Sequence, residues 1–175
     1  MVDVVIRELA DFPQWIPTIS AWFHQEWREL LGMRTAAEIE QGLAKWLVRD
    51  AIPTALVAVA GEDVVGTVAL RARDIEPREP REQFGEAPWL AGLYVVPQYR
   101  KSGIGMQLLR AAEKKAVAMG AHKLYLYTPC AQRFYQTLGW QARQEMLLHA
   151  LPVTVMEKVL LPHNLFQAPP ARTRG

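Results

Sequence analysis

Cysteine is nearly absent from this chain, with Cys130 as the single thiol in 175 residues. One thiol cannot close an internal disulfide, and without a Cys-x-x-Cys pair or a Cys/His cluster no zinc site is expected. The composition suits a reducing compartment. Long hydrophobic runs are missing too: no stretch approaches the ~18 apolar residues of a membrane helix. The first residues, Met-Val-Asp-Val-Val-Ile-Arg, lack the basic start and apolar run of a secretory signal. The expectation is a cytoplasmic protein with no membrane partner. Charge of one sign is also scarce. The formal net charge is +2, and leaving out Arg172 and Arg174 brings residues 1–161 to zero. Lys and Arg are interleaved with Asp and Glu, so the clustered basic face of a nucleic-acid binder is not expected.

What is present is half hydrophobic, at 50%. A chain of this size buries roughly two thirds of its unfolded surface, enough for one core. Residues 4–9 alternate weakly, are rich in β-branched side chains and predict a first strand. Asp11 is the expected N-cap of a helix reaching about Leu31, in which Ile16, Ile19, Phe23 and Trp27 recur at helical spacing and Pro17 belongs in the first turn. Thr35-Ala-Ala-Glu38 has the form of a capping box, opening a second helix with Ile39, Leu43, Trp46 and Leu47 on its buried side. Thr54–Ala60 and Val64–Arg71 flank Gly61-Glu-Asp and predict an antiparallel hairpin.

Residues 74–88, broken by Pro77, Pro80 and Pro88, predict a mobile loop. An apolar strand follows over Trp89–Val96, and then a helix with Ile104, Leu108, Leu109, Ala112 and Ala116 facing inward, ended by Gly120. Lys123–Tyr127 must run parallel to the previous strand, because the helix between them makes a crossover of ordinary length. A short helix near 131–138 stops at Gly139. Trp140–Leu148 and Val153–Leu161 close the domain as an antiparallel pair. One domain over 1–161 and a flexible tail over 162–175 are expected.

The segment Leu93-Tyr-Val-Val-Pro-Gln-Tyr-Arg-Lys-Ser-Gly-Ile-Gly105 carries the chemistry. It is an apolar strand turning through two glycines into a helix, and the unpaired N–H groups of a helix's first turn favour an anion. Arg100 and Lys101 add positive charge. No third glycine and no downstream ribose-binding acid follow, and no Gly-Lys-Ser/Thr ends the turn, so dinucleotide and P-loop patterns both fit poorly.

Arg100-Lys-Ser-Gly103-Ile-Gly105 behind Val95-Val-Pro97 resembles the GCN5-related N-acetyltransferase family, whose signature is Arg/Gln-x-x-Gly-x-Gly/Ala. A second stretch, Phe134-Tyr135-Gln-Thr-Leu-Gly139-Trp140, is similar to that family's Phe-Tyr-x-x-Leu-Gly-Phe/Trp. The resemblance covers residues 4 to about 161. It implies a mixed α/β fold: a twisted, mostly antiparallel sheet with a central parallel pair splayed around the cofactor, and helices flanking it.

The resemblance further implies acetyl-coenzyme A as co-substrate, with no metal. Arg100, Lys101, Ser102, Gly103, Ile104 and Gly105 would hold the pyrophosphate, and backbone groups of Leu93 and Val95 would pair with the pantetheine arm. Both are also ordinary core positions. Tyr135 matches the tyrosine that protonates the departing thiolate. The general base is open between Glu26, His24 and Asp74. Asp74 and Glu76, by the family layout, border the acceptor cleft.

Trp22, Trp27 and Trp89 are candidates for an aromatic acceptor wall, with core packing as the plainer alternative for each. Cys130 lies near the expected thiol, without an evident base partner. Two departures stand out: Thr128-Pro-Cys-Ala131 replaces an Asn that many relatives use to hold the pantetheine arm, and Lys101 stands where the family often has Gly. The expected activity is acetyl transfer to a primary amine of a small molecule by direct attack in a ternary complex. A protein or peptide amine acceptor, or a non-catalytic acyl-coenzyme A sensor, is the alternative. A homodimer through the apolar final strands is left open.

Overall fold

The computed structural model describes residues 3–72 and 84–160. Asp74, Glu76 and the tail from 162 onward therefore lie outside the described residues. Seven strands form one sheet in the order β1-β2-β3-β4-β5-β7-β6. They are β1 (Val4–Glu8), β2 (Thr54–Ala60), β3 (Asp63–Arg71), β4 (Trp89–Val95), β5 (Lys123–Thr128), β6 (Gln141–Leu148) and β7 (Leu151–Val159). Four helices flank them: α1 (Ile16–Trp27), α2 (Ala36–Ala44), α3 (Ile104–Ala118) and α4 (Gln132–Thr137). All strand pairings are antiparallel except β4 with β5. The mixed α/β sheet with its central parallel pair is thus present.

The hairpin β2–β3 forms as its turn chemistry dictates, with Gly61 at φ 64°. Nearly every residue of both strands is buried, because they sit inside the sheet with elements packed over both faces. In α2 the capping box is complete: the Thr35 hydroxyl accepts the Glu38 N–H, and the Glu38 carboxylate accepts the Thr35 N–H at 2.8 Å. Its first turn holds to α1 through the fully buried Ser20, whose hydroxyl donates to the Ala36 carbonyl at 2.7 Å.

The start of α1 departs from expectation. Asp11 does not cap it; two short 3-10 turns intervene, the helix begins at Ile16 with no side-chain cap, and Asp11 pairs instead with Arg49. Pro13 and Pro17 each take a first-turn position, where the missing N–H costs little. The helix also stops earlier, at Trp27, before turns that carry Gly32 and Met33 at positive φ.

The main core spreads across the sheet, with Leu108 and Leu109 of α3 fully buried in it. Trp89, Tyr125 and Val155 form a smaller, separate cluster with Phe84 against them. Among the described residues no helix is long and apolar enough to cross a membrane.

Candidate functional site

The parallel pair barely pairs. The β4–β5 register contains one partnership, Trp89 with Tyr125, supported by the Tyr125 N–H donating to the Pro88 carbonyl at 3.0 Å. Beyond it the strands diverge toward their C-terminal ends. A cavity of about 680 Å³ fills the divergence, lined on one side by Leu90 to Val95 and on the other by Leu126 to Ala131 with Tyr135.

The divergence has a local cause in β4. Its register with β3 passes from Thr67↔Tyr94 to Ala69↔Ala91, so Gly92 and Leu93 stand opposite the single Val68. That is a β-bulge, with Gly92 at φ 60°. Even a methyl group would not fit there, because an added Cβ would lie 2.8 Å from Phe23 Cζ. Sequence reasoning missed Gly92; the available signal was an isolated glycine inside an apolar strand.

At the end of β4, residues Val96 to Gly103 turn the chain into α3. Gly103 supplies the N-cap at φ 87° and no side chain caps the helix. The first bond runs from the Gln107 N–H to the Gly103 carbonyl, leaving the preceding N–H groups without helical partners. Lys101 also adopts a left-handed φ of 63°, which gives a reason for the glycine common at this position in the resembled family. A Cβ at Gly103 would meet nothing within 4 Å, so the conformation alone calls for glycine there.

The Arg100 side chain turns toward α1. Its Nε donates to the Val95 carbonyl at 2.9 Å, its guanidinium lies 3.4 Å from the Glu26 carboxylate, and it stacks over the Tyr94 ring at 5.4 Å. The first two contacts tie the turn to two residues of the expected site, Val95 and Glu26. Arg100 lines the cavity, whereas Lys101 to Gly105 form the turn outside its lining.

Tyr135 is the buried residue of α4, 8% exposed, and packs its ring against Phe134 and Trp140. Burial pushes its hydroxyl well above the ordinary tyrosine range, and the nearby Cys130 adds to the effect. Leading into α4, the Thr128 hydroxyl accepts the Ala131 N–H at 3.0 Å. Thr128 thus shapes this turn in the segment where many relatives have Asn.

Glu26 and Trp27 line the cavity; Trp22, Trp89 and His24 do not. Trp22 stacks on Tyr94 at 5.2 Å, and Trp89 is buried in the smaller cluster beside Tyr125. Both therefore make packing contacts outside the cavity lining. Trp46, read from sequence only as a buried stripe, is half-buried and lines the cavity. Among the described residues, no group of three or more His, Cys, Asp or Glu is placed to hold a metal.

The arrangement fits a nucleotide-bearing thioester: uncapped amides for a diphosphate, a strand edge for an extended arm, and a buried hydroxyl at the deep end. Known structures share the fold. An aminoglycoside 6'-N-acetyltransferase complexed with coenzyme A matches at 20% identity and TM-score 0.69, over 91% of this chain and 98% of that one. An aminoglycoside 6'-acetyltransferase type Ii matches at 22% and 0.66, over 91% and 99%. The PaiA N-acetyltransferase of Thermoplasma acidophilum, in complex with coenzyme A, matches at 21% and 0.67, over 90% and 99%. These likenesses establish the fold. No curated protein sequence matches significantly. The acetyltransferase (GNAT) family model matches residues 16–140, from the first turn of α1 through the splayed strands to Trp140, and the chain belongs to that family, whose co-substrate is acetyl-coenzyme A.

Proposed function

We propose that this acetyltransferase moves the acetyl group to the nitrogen of a primary amine on a small molecule, directly and in a ternary complex. The observation that carries it is the opening between β4 and β5, which begins past a single bridge and reaches Arg100, in the turn that leads to the uncapped start of α3. Bound acetyl-coenzyme A supplies a thioester, an acetyl group already activated toward amines.

The chain's own residues do the rest. Main-chain N–H groups around Gly103 to Gly105 bind the diphosphate, with Lys101 adding charge. Leu93 and Val95 offer backbone groups along the opening, as a strand edge offers them to an added strand. Tyr135 holds its proton near the deep end, ready for the sulfur that leaves as a thiolate. Cys130 stays a bystander, because the described residues lining the cavity include no histidine to activate it. The amine's proton goes to Glu26 or Asp74. Glu26 sits in a solvent-exposed pair with Arg100, which holds it only weakly.

Free thiol released from acetyl-coenzyme A, followed with a panel of primary amines and a peptide with a free amino terminus, tests the reading. Amine-dependent release by small amines supports it. Release with the peptide alone would move the acceptor to protein amines, and tight binding without release would make the domain an acyl-coenzyme A sensor.

A further inference from the structure

Arg100 spans two parts of the molecule that the reaction must bring together. Its Nε donates to the Val95 carbonyl at 2.9 Å, and its Nη2 lies 3.4 Å from the Glu26 carboxylate on α1. The direction of that carbonyl follows from its neighbour. The Val96 N–H donates to the Val65 carbonyl on β3 at 3.0 Å, and across a planar trans peptide the Val95 C=O must point the opposite way. Since β3 and β5 flank β4 on opposite sides, the carbonyl points to the side where β5 has parted. It is therefore one of the strand-edge groups offered to the thioester arm, and Arg100 holds it.

Arg100, Val95 and Glu26 line one cavity. A carbonyl oxygen can accept twice, but a guanidinium lying in the opening competes with the arm for space as well as for the oxygen. The guanidinium is held lightly. Its ion pair with Glu26 is 44% and 41% exposed, and such pairs contribute little. In the turn that follows, where the diphosphate binds, the guanidinium would find a more highly charged partner. Among the described residues Glu26 has no other hydrogen-bond or ion-pair partner, so a guanidinium that moves away leaves its carboxylate free.

We propose that Arg100 is a positioning residue that exchanges partners: it gives up the Val95 carbonyl and Glu26 when acetyl-coenzyme A occupies the opening, and the released Glu26 carboxylate then takes the proton of the acceptor amine. The exchange rests on the two contacts of Arg100, and the role given to Glu26 rests on the acetyl-transfer reading above.

Titration calorimetry with coenzyme A tests the exchange. Glu26→Gln removes the charge that holds the guanidinium over the opening, so coenzyme A should bind about two- to fivefold more tightly, the range an exposed ion pair allows. In an Arg100→Met background the same change should give no gain. A gain that persists there would show Glu26 acting only as a charge that repels the cofactor, and equal or weaker binding by Glu26→Gln would show that Arg100 does not stand in the way. Either result overturns the exchange. Thiol release at saturating acetyl-coenzyme A, with ethylamine and spermidine as acceptors, tests the released base. Glu26→Gln should lower kcat about tenfold or more while coenzyme A binds more tightly, opposite changes that a damaged fold would not produce. An unchanged kcat would overturn the role of Glu26. If neither amine releases thiol with the wild-type protein, the transfer reading fails, and the calorimetric cycle still upholds or overturns the exchange.

Discussion

At the scale of single residues, Tyr135 has its chemistry set by burial. Desolvation, with Cys130 nearby, holds its hydroxyl well above the ordinary tyrosine range, so the phenol keeps its proton wherever amine chemistry runs. The sign follows from linkage. The unfolded chain releases this proton first, so the contribution to stability is complete below about pH 10 and declines as pH rises beyond it. Tyr135→Phe is expected to lower kcat about 100-fold or more with little change in acetyl-coenzyme A affinity, and wild-type kcat should show no loss from tyrosine ionisation below about pH 10. Steady-state rates across pH, with calorimetry for binding, check both; an unchanged kcat would remove Tyr135 from the donor role. Gly105 makes a second residue-level case. A Cβ there would touch Phe134 and Val95 at an ordinary 3.8 Å, so nothing in the protein itself forbids alanine. Gly105→Ala should leave the fold as stable or up to about 1 kcal/mol more stable, and should change coenzyme A affinity by less than about threefold, because the resembled signature accepts Ala at this position. Urea unfolding and calorimetry read the two effects separately. Both residues were legible in the sequence, because each stands in a short motif whose spacing is tied to a local turn.

At the scale of elements, the β4 bulge decides where the sheet opens. Gly92 combines a left-handed φ of 60° with Phe23 pressed against the space a side chain would need. Gly92→Ala is expected to cost about 2–4 kcal/mol, from backbone strain and overpacking together, and to disturb the cavity that Phe23 lines. Chemical denaturation measures this, and a change below about 0.5 kcal/mol would mean the bulge relaxes freely. The hairpin, the α2 capping box and α3 were readable because their signals are local: a Gly turn, reciprocal caps, a repeating apolar stripe. The start of α1 was not. Asp11 has the side chain of an N-cap, but its long-range pairing with Arg49 competes for that carboxylate, and Phe12 to Trp15 take up 3-10 turns with Phe12 and Trp15 stacked at 4.3 Å.

For the whole molecule, the contact that locks distant segments is Glu113 of α3. It accepts the Trp140 Nε1–H at 3.0 Å and the Lys158 ammonium at 2.8 Å, joining α3 to the segment after α4 and to β7. Glu113→Ala would leave both donors without this partner in a poorly solvated spot and should cost about 2–4 kcal/mol; Glu113→Gln, still able to accept, should cost less. Urea melts of the two variants test the ordering, and equal, negligible losses would show the cluster to be fully solvated. None of this was visible in the sequence, where Glu113 reads as one more polar residue on a helix. The sheet order was likewise hidden: β7 lies between β5 and β6, leaving β6 as the edge strand opposite β1. From sequence alone came the strands, most of the helices, the family and the glycine turn into α3, since each depends on residues within a few positions of one another. Tertiary structure alone decided that Trp22 and Trp89 pack outside the cavity lining while Trp46 lines it, that Arg100 bridges Val95 and Glu26, and that β4 parts from β5 after one bridge. Those outcomes depend on which surfaces meet after the chain has closed on itself, and side chains far apart in sequence compete for that space only in the folded state.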